Sequence, residues 1–394
     1  MCLLILLGWF AFHQEPPPPN QQSAKVEATK PVVPVLEPAN DSSSEMPTNQ
    51  PENSITTNAA DLYRQAFALY DGLSNDQKHL LGGWHTNVDA AVEAELCEKI
   101  RPICNLMHQA SAVTNCDWGV NPVTTDTLLP YLGPARNIAR AAIWSAAHCR
   151  TNDVTGATDD AVAVLKLGQQ VSRGAMIGCL VDMALQGLAW SYVAENLARF
   201  QGLDAQRLAA AFNDPAYEAA PSRAMEQEAD RADNAAAKLA AMPAAEAEAE
   251  FSNSAQEVAK FVDGYPTNLD QASILAAYKQ IADSERQLAG ALASSSENDY
   301  ETWLESSTDL QASNPLAKGL LESVDGFLDK VQGAEVNRAL IVAGLAVAQA
   351  GANALPSYPD PSSGQPFVYT ETADGFQLQS TYQVKGKPMT MQFK

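Results

Sequence analysis

Apolar residues recur at helical spacing from Asn58 to Leu355 and at a spacing of two after Pro356, and this change of period limits the chain to a mainly α fold with a small β tail. The clearest helical stripe follows Asn314-Pro315: Leu320, Leu321, Val324, Phe327, Leu328 and Val331 share one face, and Gly333 is expected to end that helix. Arg338 to Ala350 reads as a further buried helix, too short to span a bilayer. In the tail, Phe376, Leu378, Ser380 and Tyr382 alternate with polar residues, as do Met389, Met391 and Phe393. Asp374-Gly375 and Lys385-Gly386 supply the turns, so the expectation is an antiparallel hairpin or meander docked on the helices.

The helical part divides into hairpins, giving an irregular helical-hairpin bundle. Asn58 suits an N-cap, with Leu62, Ala66, Leu69 and Tyr70 on one face of the first helix. Trp84 to Val113 reads as helix restarted at Pro102, and Gly133-Pro134 opens another carrying the small-sided stripe Ile138, Ala142, Ser145 and Cys149. Asn152 to Ala157 is expected to be a turn, with Thr158-Asp159-Asp160 starting the next helix. Ala175 to Phe200 is the most apolar helix. Pro221 to Lys260, acid-rich and broken at Pro243, reads as one or two solvated helices. No 34-residue period extends beyond one hairpin, so a regular solenoid is not expected.

Two segments precede the helices. Residues 1–13 contain an unbroken apolar run from Cys2 to Phe12, shorter than the about 20 residues of a full span and without a basic n-region or cleavage motif. The expectation is a membrane anchor lying within a longer hydrophobic segment. Residues 14–56 hold Pro16 to Pro19 in a row and further prolines to Pro51, with no aromatic residue, which makes an extended linker that cannot bury a core. Residues 57–355 form the helical domain and 356–394 the β tail. The domain is placed in the cell envelope, in the periplasm or outside, tethered by the N-terminus.

The chain has 394 residues and a net charge of −22, from 47 acids and 25 bases. With no Lys/Arg cluster it is not expected to bind nucleic acid, and the charge opposes adhesion to anionic lipid. A protein or peptide partner fits grooves between helix hairpins.

Signatures such as G-x-S-x-G, a Gly-rich phosphate loop, H-E-x-x-H, C-x-x-C and an EF-hand loop are absent from the sequence. The exported part has five cysteines, Cys97, Cys104, Cys116, Cys149 and Cys179. In an oxidising compartment they point to one or two disulfides, for example Cys104–Cys116. Cys97 and Cys104 are too far apart in a straight helix to bond to each other. The competing reading is a metal site, with zinc as the ion: Cys104 and His108 at i, i+4 aim one way, and Cys116, His148 and Cys149 complete the set. Asp182 lies mid-run in the most apolar helix, so it must be paired or protonated. Arg136, Arg140 and Arg173 are the expected partners, and in a cleft Asp182 is the candidate catalytic acid. In the cluster of His79, Trp84 and His85 around the Gly82-Gly83 turn, the histidines, six apart, are not a helical ligand pair and Trp84 reads as a packing anchor, as does Trp118 in its loop.

Two stretches resemble a family of uncharacterised, membrane-anchored helical bacterial proteins. One is Leu128 to Leu132 with Ala135-Arg136-Asn137-Ile138-Ala139-Arg140. The other is the tail Asp360-Pro361-Ser362-Ser363-Gly364-Gln365-Pro366-Phe367-Val368-Tyr369, followed by Asp374-Gly375-Phe376-Gln377-Leu378-Gln379-Ser380. Ser362 stands where that family carries an aromatic. The resemblance implies an exported helical protein ending in a hairpin, and implies no activity.

Overall fold

The computed structural model describes residues 58–85, 88–120, 129–172, 175–260, 264–294 and 297–394; within them, the side chains of 297–298, 315 and 319–323 are not described. The apolar run, the linker and Arg173 lie outside the described residues, as do the Leu320 and Leu321 side chains of the predicted stripe.

The first helices start where local chemistry supplies caps. Helix α1 (Ala59–Asp71) begins at Asn58, whose side-chain carbonyl accepts from the Ala60 N–H at 3.1 Å. Its buried face is Ala59, Tyr63, Ala66 and Tyr70; Leu69 points to solvent, so the predicted stripe is turned by part of a helical turn. The short α2 (Asn75–Leu80) has a reciprocal Ser74/Gln77 capping box. Helix α3 (Ala90–Ser111) runs through Pro102 without restarting, and α4 (Leu132–Trp144) passes into a π turn at Ser145–Cys149.

Helix α5 (Val154–Val171) starts four residues earlier than expected. Asp153, not Thr158, is its cap and accepts from Gly156 N–H at 2.9 Å. Asp160 is therefore an interior residue with no exposure, rather than a solvated acid at a helix end. Helix α6 (Met176–Glu195) has no capping side chain of its own, and Glu228 from a later helix accepts the Met176 N–H instead. Next come α7 (Gly202–Phe212), α8 (Ala216–Ala240), α9 (Ala244–Ala259), α10 (Gln271–Ser294), α11 (Glu297–Ser313) and α12 (Pro315–Ala350).

Helices α8 and α9 do break at Pro243, but α8 is not a solvated helix. Ala220, Ala224, Ala229, Ala232 and Leu239 form a buried seam against α10. Small residues at i, i+4 let the two backbones approach closely, a signal masked in sequence by the acids between them.

The apolar residues form two cores. One gathers α1, α3, α4, α5, most of α6, α7, the C-terminal half of α12 and the sheet. The other gathers Met176, Cys179 and Leu180 from the start of α6 with α8 to α11 and the N-terminal half of α12. Helices α6 and α12 serve both. At 36 residues α12 is about 54 Å long. By length and composition alone, Met176–Glu195 and Val324–Ala350 are long and apolar enough to cross a membrane; 61% and 56% of those windows are buried within the protein.

Helix α12 does not stop at Gly333, so Pro315 to Val331 and Arg338 to Ala350 are one helix. The tail packs against this helix. Strands β1 (Val368–Thr372), β2 (Gly375–Val384) and β3 (Lys387–Phe393) form an antiparallel sheet in the order β1-β2-β3. A Cβ at Gly333 would sit 3.5 Å from Met389 Cε, and one at Gly344 would sit 2.2 Å from the fully buried Phe393 ring. Gly344 is a notch for the Phe393 ring, whereas a side chain at Gly333 would only be in ordinary contact with the sheet; Tyr382 Oη donates to the Asp329 carbonyl beside Gly333. Gly344→Ala is thus expected to cost about 1–3 kcal/mol by overpacking against Phe393. Urea unfolding followed by far-UV circular dichroism checks this, and unchanged stability would remove Gly344 from the docking account.

The turn before β1 is built on Asp360. Its carboxylate accepts from Ser362 N–H, Ser380 Oγ and both the N–H and Oγ1 of Thr381, at 2.8 to 3.0 Å. Burial pushes this carboxyl up, but those bonds win and hold it below its ordinary range. Gly364 takes φ +67°, as the Pro361/Gly364 turn requires.

Candidate functional site

Where α6 and α12 pass from one core to the other, a layer of polar side chains is enclosed. Asp182 and Gln186 are each 1% exposed. Gln186 accepts from Arg338 Nη1 at 3.2 Å, and both side chains favour the ionised form of the Asp182 carboxyl beside them. The Arg338 guanidinium lies 5.0 Å from the Tyr217 ring centre, and Tyr217 Oη donates to the Leu165 carbonyl at 3.3 Å. The layer thus joins α5, α6, α8 and α12.

Asp182 is short of partners. Its Oδ1 is fully buried with no hydrogen bond. A Cβ at Gly168 would come within 2.2 Å of that oxygen, so glycine is what lets α5 close over the carboxyl. Burial raises the Asp182 carboxyl to about 7, against the smaller opposing effects of Gln186 and Arg338. Burial likewise lowers Arg338 and raises the neighbouring Cys179 thiol and Tyr217 phenol.

The sequence marks Asp182 as a buried carboxyl and misses its partner. Arg338 acts on it, not Arg136 or Arg140, which lie on α4, with Arg140 near Tyr70. A visible signal exists in Arg338 itself, which opens an otherwise apolar stretch at a position too deep in its helix to be solvated.

A second polar centre surrounds Asp160. His108 Nε2 hydrogen-bonds Asp160 Oδ1 at 2.8 Å, and Arg150 Nε lies 3.7 Å from Oδ2. Cys104 is fully buried one turn before His108 and hydrogen-bonds Ser145. Burial, then Asp160, pushes its thiol up, which makes it a poor nucleophile and a poor ligand.

The residues read as a metal set are therefore distributed among separate settings. Cys149 is bonded to Cys97, joining α3 to the π turn across a separation of 52 residues. The Cys104–Cys116 bridge suggested by the loop does not form, because both side chains are buried against different neighbours, Cys116 beside Tyr63 and Tyr131. His148 contacts the Trp84 carbonyl at 2.9 Å and Glu93 Oε2 at 3.2 Å and stacks on Trp144. Among the described residues no three His, Cys, Asp or Glu side chains are grouped to hold a metal ion.

The aromatic anchors are in place. Trp118 stacks on Tyr131 with ring centres 4.3 Å apart and donates to the Gln170 carbonyl, and Trp84 packs on His85 and Tyr192. Between α8 and α10 lies one more buried acid the sequence did not nominate. Glu285 is raised well above its ordinary range by burial and then by Glu228, with Arg231 opposing. It sits among acids that look solvated by composition.

No family model, curated protein or solved structure matches the chain.

Proposed function

We propose that this chain is a membrane-tethered protein of the cell envelope that works by holding a protein or peptide partner and not by catalysis. The Cys97–Cys149 bond carries this reading. Disulfides of this structural kind persist in oxidising compartments, the periplasm or the exterior. The apolar run at residues 1–13 and the proline-rich linker at 14–56 supply a tether that keeps the domain off the bilayer. The likeness of the tail motif to that of exported, membrane-anchored helical proteins supports the same placement. The non-catalytic part is supported by what most of the nominated side chains do: Cys104, His108 and His148 are each engaged in contacts between helices. The acid surplus favours a partner other than nucleic acid or anionic lipid.

The test is fractionation of the full gene product with any upstream in-frame residues. The expected result is recovery in the membrane fraction, resistance to a salt wash, and a mass deficit of one disulfide before reduction. Release by salt alone defeats the tether, and a fully reduced chain defeats the compartment.

One observation favours a second reading, an envelope hydrolase or a zinc-binding protein. The orphaned Asp182 oxygen belongs to a carboxyl held near neutrality, the range of a general acid or base. Comparing native with denaturing intact mass separates the two readings. A retained zinc ion or small molecule would favour the second.

A further inference from the structure

Cations are scarce in this chain, and nearly all the described arginines are held by an oxygen acceptor. Every other described arginine donates a hydrogen bond to a carboxylate, carbonyl, phenol or amide oxygen, from Arg64 on Asp61 to Arg338 on Gln186. Among the described residues, Arg136 and Arg140 make no such bond and no ion pair. They are four residues apart on α4, so both stems leave the same face, with Cβ atoms roughly 5–6 Å apart. Neither is exposed; each is half-buried. Burial, then the charge of Arg140, lowers Arg136 from the ordinary arginine range, as expected of two cations brought together away from water. Tyr70, at the end of α1, lies within the field of Arg140, and Lys78 Nζ sits 5.9 Å from its ring centre. A half-buried positive patch thus stands in a molecule of net charge −22.

We propose that Arg136 and Arg140 form a binding site for an oxyanion, a phosphate or carboxylate group, beside the Tyr70 hydroxyl. Two guanidinium forks on one face match the paired oxygens of such a group. The bound anion replaces the hydrogen-bond acceptors that the described residues do not supply, and it removes the repulsion between the two arginines. The net charge of −22 repels polyanions such as nucleic acid, so the ligand is a single oxyanion group on a small or weakly charged molecule. This site is independent of the tether and of the Asp182 layer.

Titration of the full chain with sodium phosphate, and separately with sodium succinate, tests the proposal. Ionic strength is held with sodium chloride and the unfolding temperature is the readout. A saturable rise with at least one of the two anions is expected. A response to phosphate alone identifies a phosphoryl group, and a response to succinate identifies a carboxylate. Arg140→Lys keeps the charge and loses the fork, and it should weaken binding roughly tenfold with the unfolding temperature in chloride unchanged. Arg136→Gln/Arg140→Gln should abolish the rise and, by removing the repulsion, unfold in chloride no lower than wild type. No saturable rise above the chloride control, or an equal rise in the double variant, overturns the site. A double variant that unfolds well below wild type in chloride also overturns it, because the arginines would then be structural.

Discussion

Replacing Cys97 and Cys149 by serine is expected to lower the unfolding free energy by about 4 kcal/mol, the loop-entropy value for a bond that closes this much chain. The two cysteines are 52 residues apart, and the enclosed segment holds the end of α3, the Trp118 loop and α4. When the bond is absent, the unfolded chain regains the freedom of that loop while the native packing of Ile100, Ile103, Trp144 and Ala146 is little changed. The loss should therefore appear as a lower urea midpoint with a steeper dependence on urea, since the unfolded state becomes more open. Unfolding with and without reductant gives the same comparison on the wild-type chain. Cys104→Ala is a control: it removes a buried thiol and leaves the loop closed. A reductant effect below about 1 kcal/mol would mean that residual structure in the unfolded chain already supplies the constraint.

The second large effect concerns Asp182. Its carboxyl is raised from 3.8 to about 7 in the folded chain. A raised carboxyl favours the fold while it is protonated. That contribution is complete below the unfolded value, falls as pH rises from about 4 to about 7, and is gone above the folded value. Asp182→Asn keeps the shape and the hydrogen-bonding capacity and cannot ionise. Relative to wild type, its stability should therefore climb by about 1.4 kcal/mol per pH unit across that window, reaching about 4 kcal/mol, and stay level above it. Glu285, also raised by burial, is present in both chains and cancels from the difference. Urea unfolding of the two proteins between pH 4 and 8 provides the measurement. A difference that does not change with pH would show that Arg338 and Gln186 keep Asp182 ionised throughout.

Much of the fold follows from short-range pattern. Asn58 caps α1, Pro243 separates α8 from α9, and Lys385-Gly386 turns β2 into β3, because caps, prolines and tight turns act within a few residues. The same locality explains the errors. Gly333 has the sequence of a helix stop, yet the helix continues through it, with Met389 and Tyr382 of the sheet packed beside it. The alanines of α8 look like filler between acids, and only the approach of α10 makes them a buried seam. Asp160 looks like a charge at a helix end, and only the cap at Asp153 places it in the interior.

The candidate sites divide in the same way. That Asp182 must be buried, and so must have its charge matched or removed, was legible because eleven consecutive residues around it carry no other charge. Its partner was not, because Gln186 and Arg338 are 152 residues apart and meet only where α12 crosses α6. The odd number of cysteines announced at least one thiol outside any bridge. Which two pair depended on the π turn that brings Cys149 to Cys97. The sequence by itself determined the period of each element, its caps and the acidity of the surface, all set by neighbours along the chain. The tertiary structure alone decided which buried groups face one another, because that depends on helix crossings between residues with no local means of specifying each other.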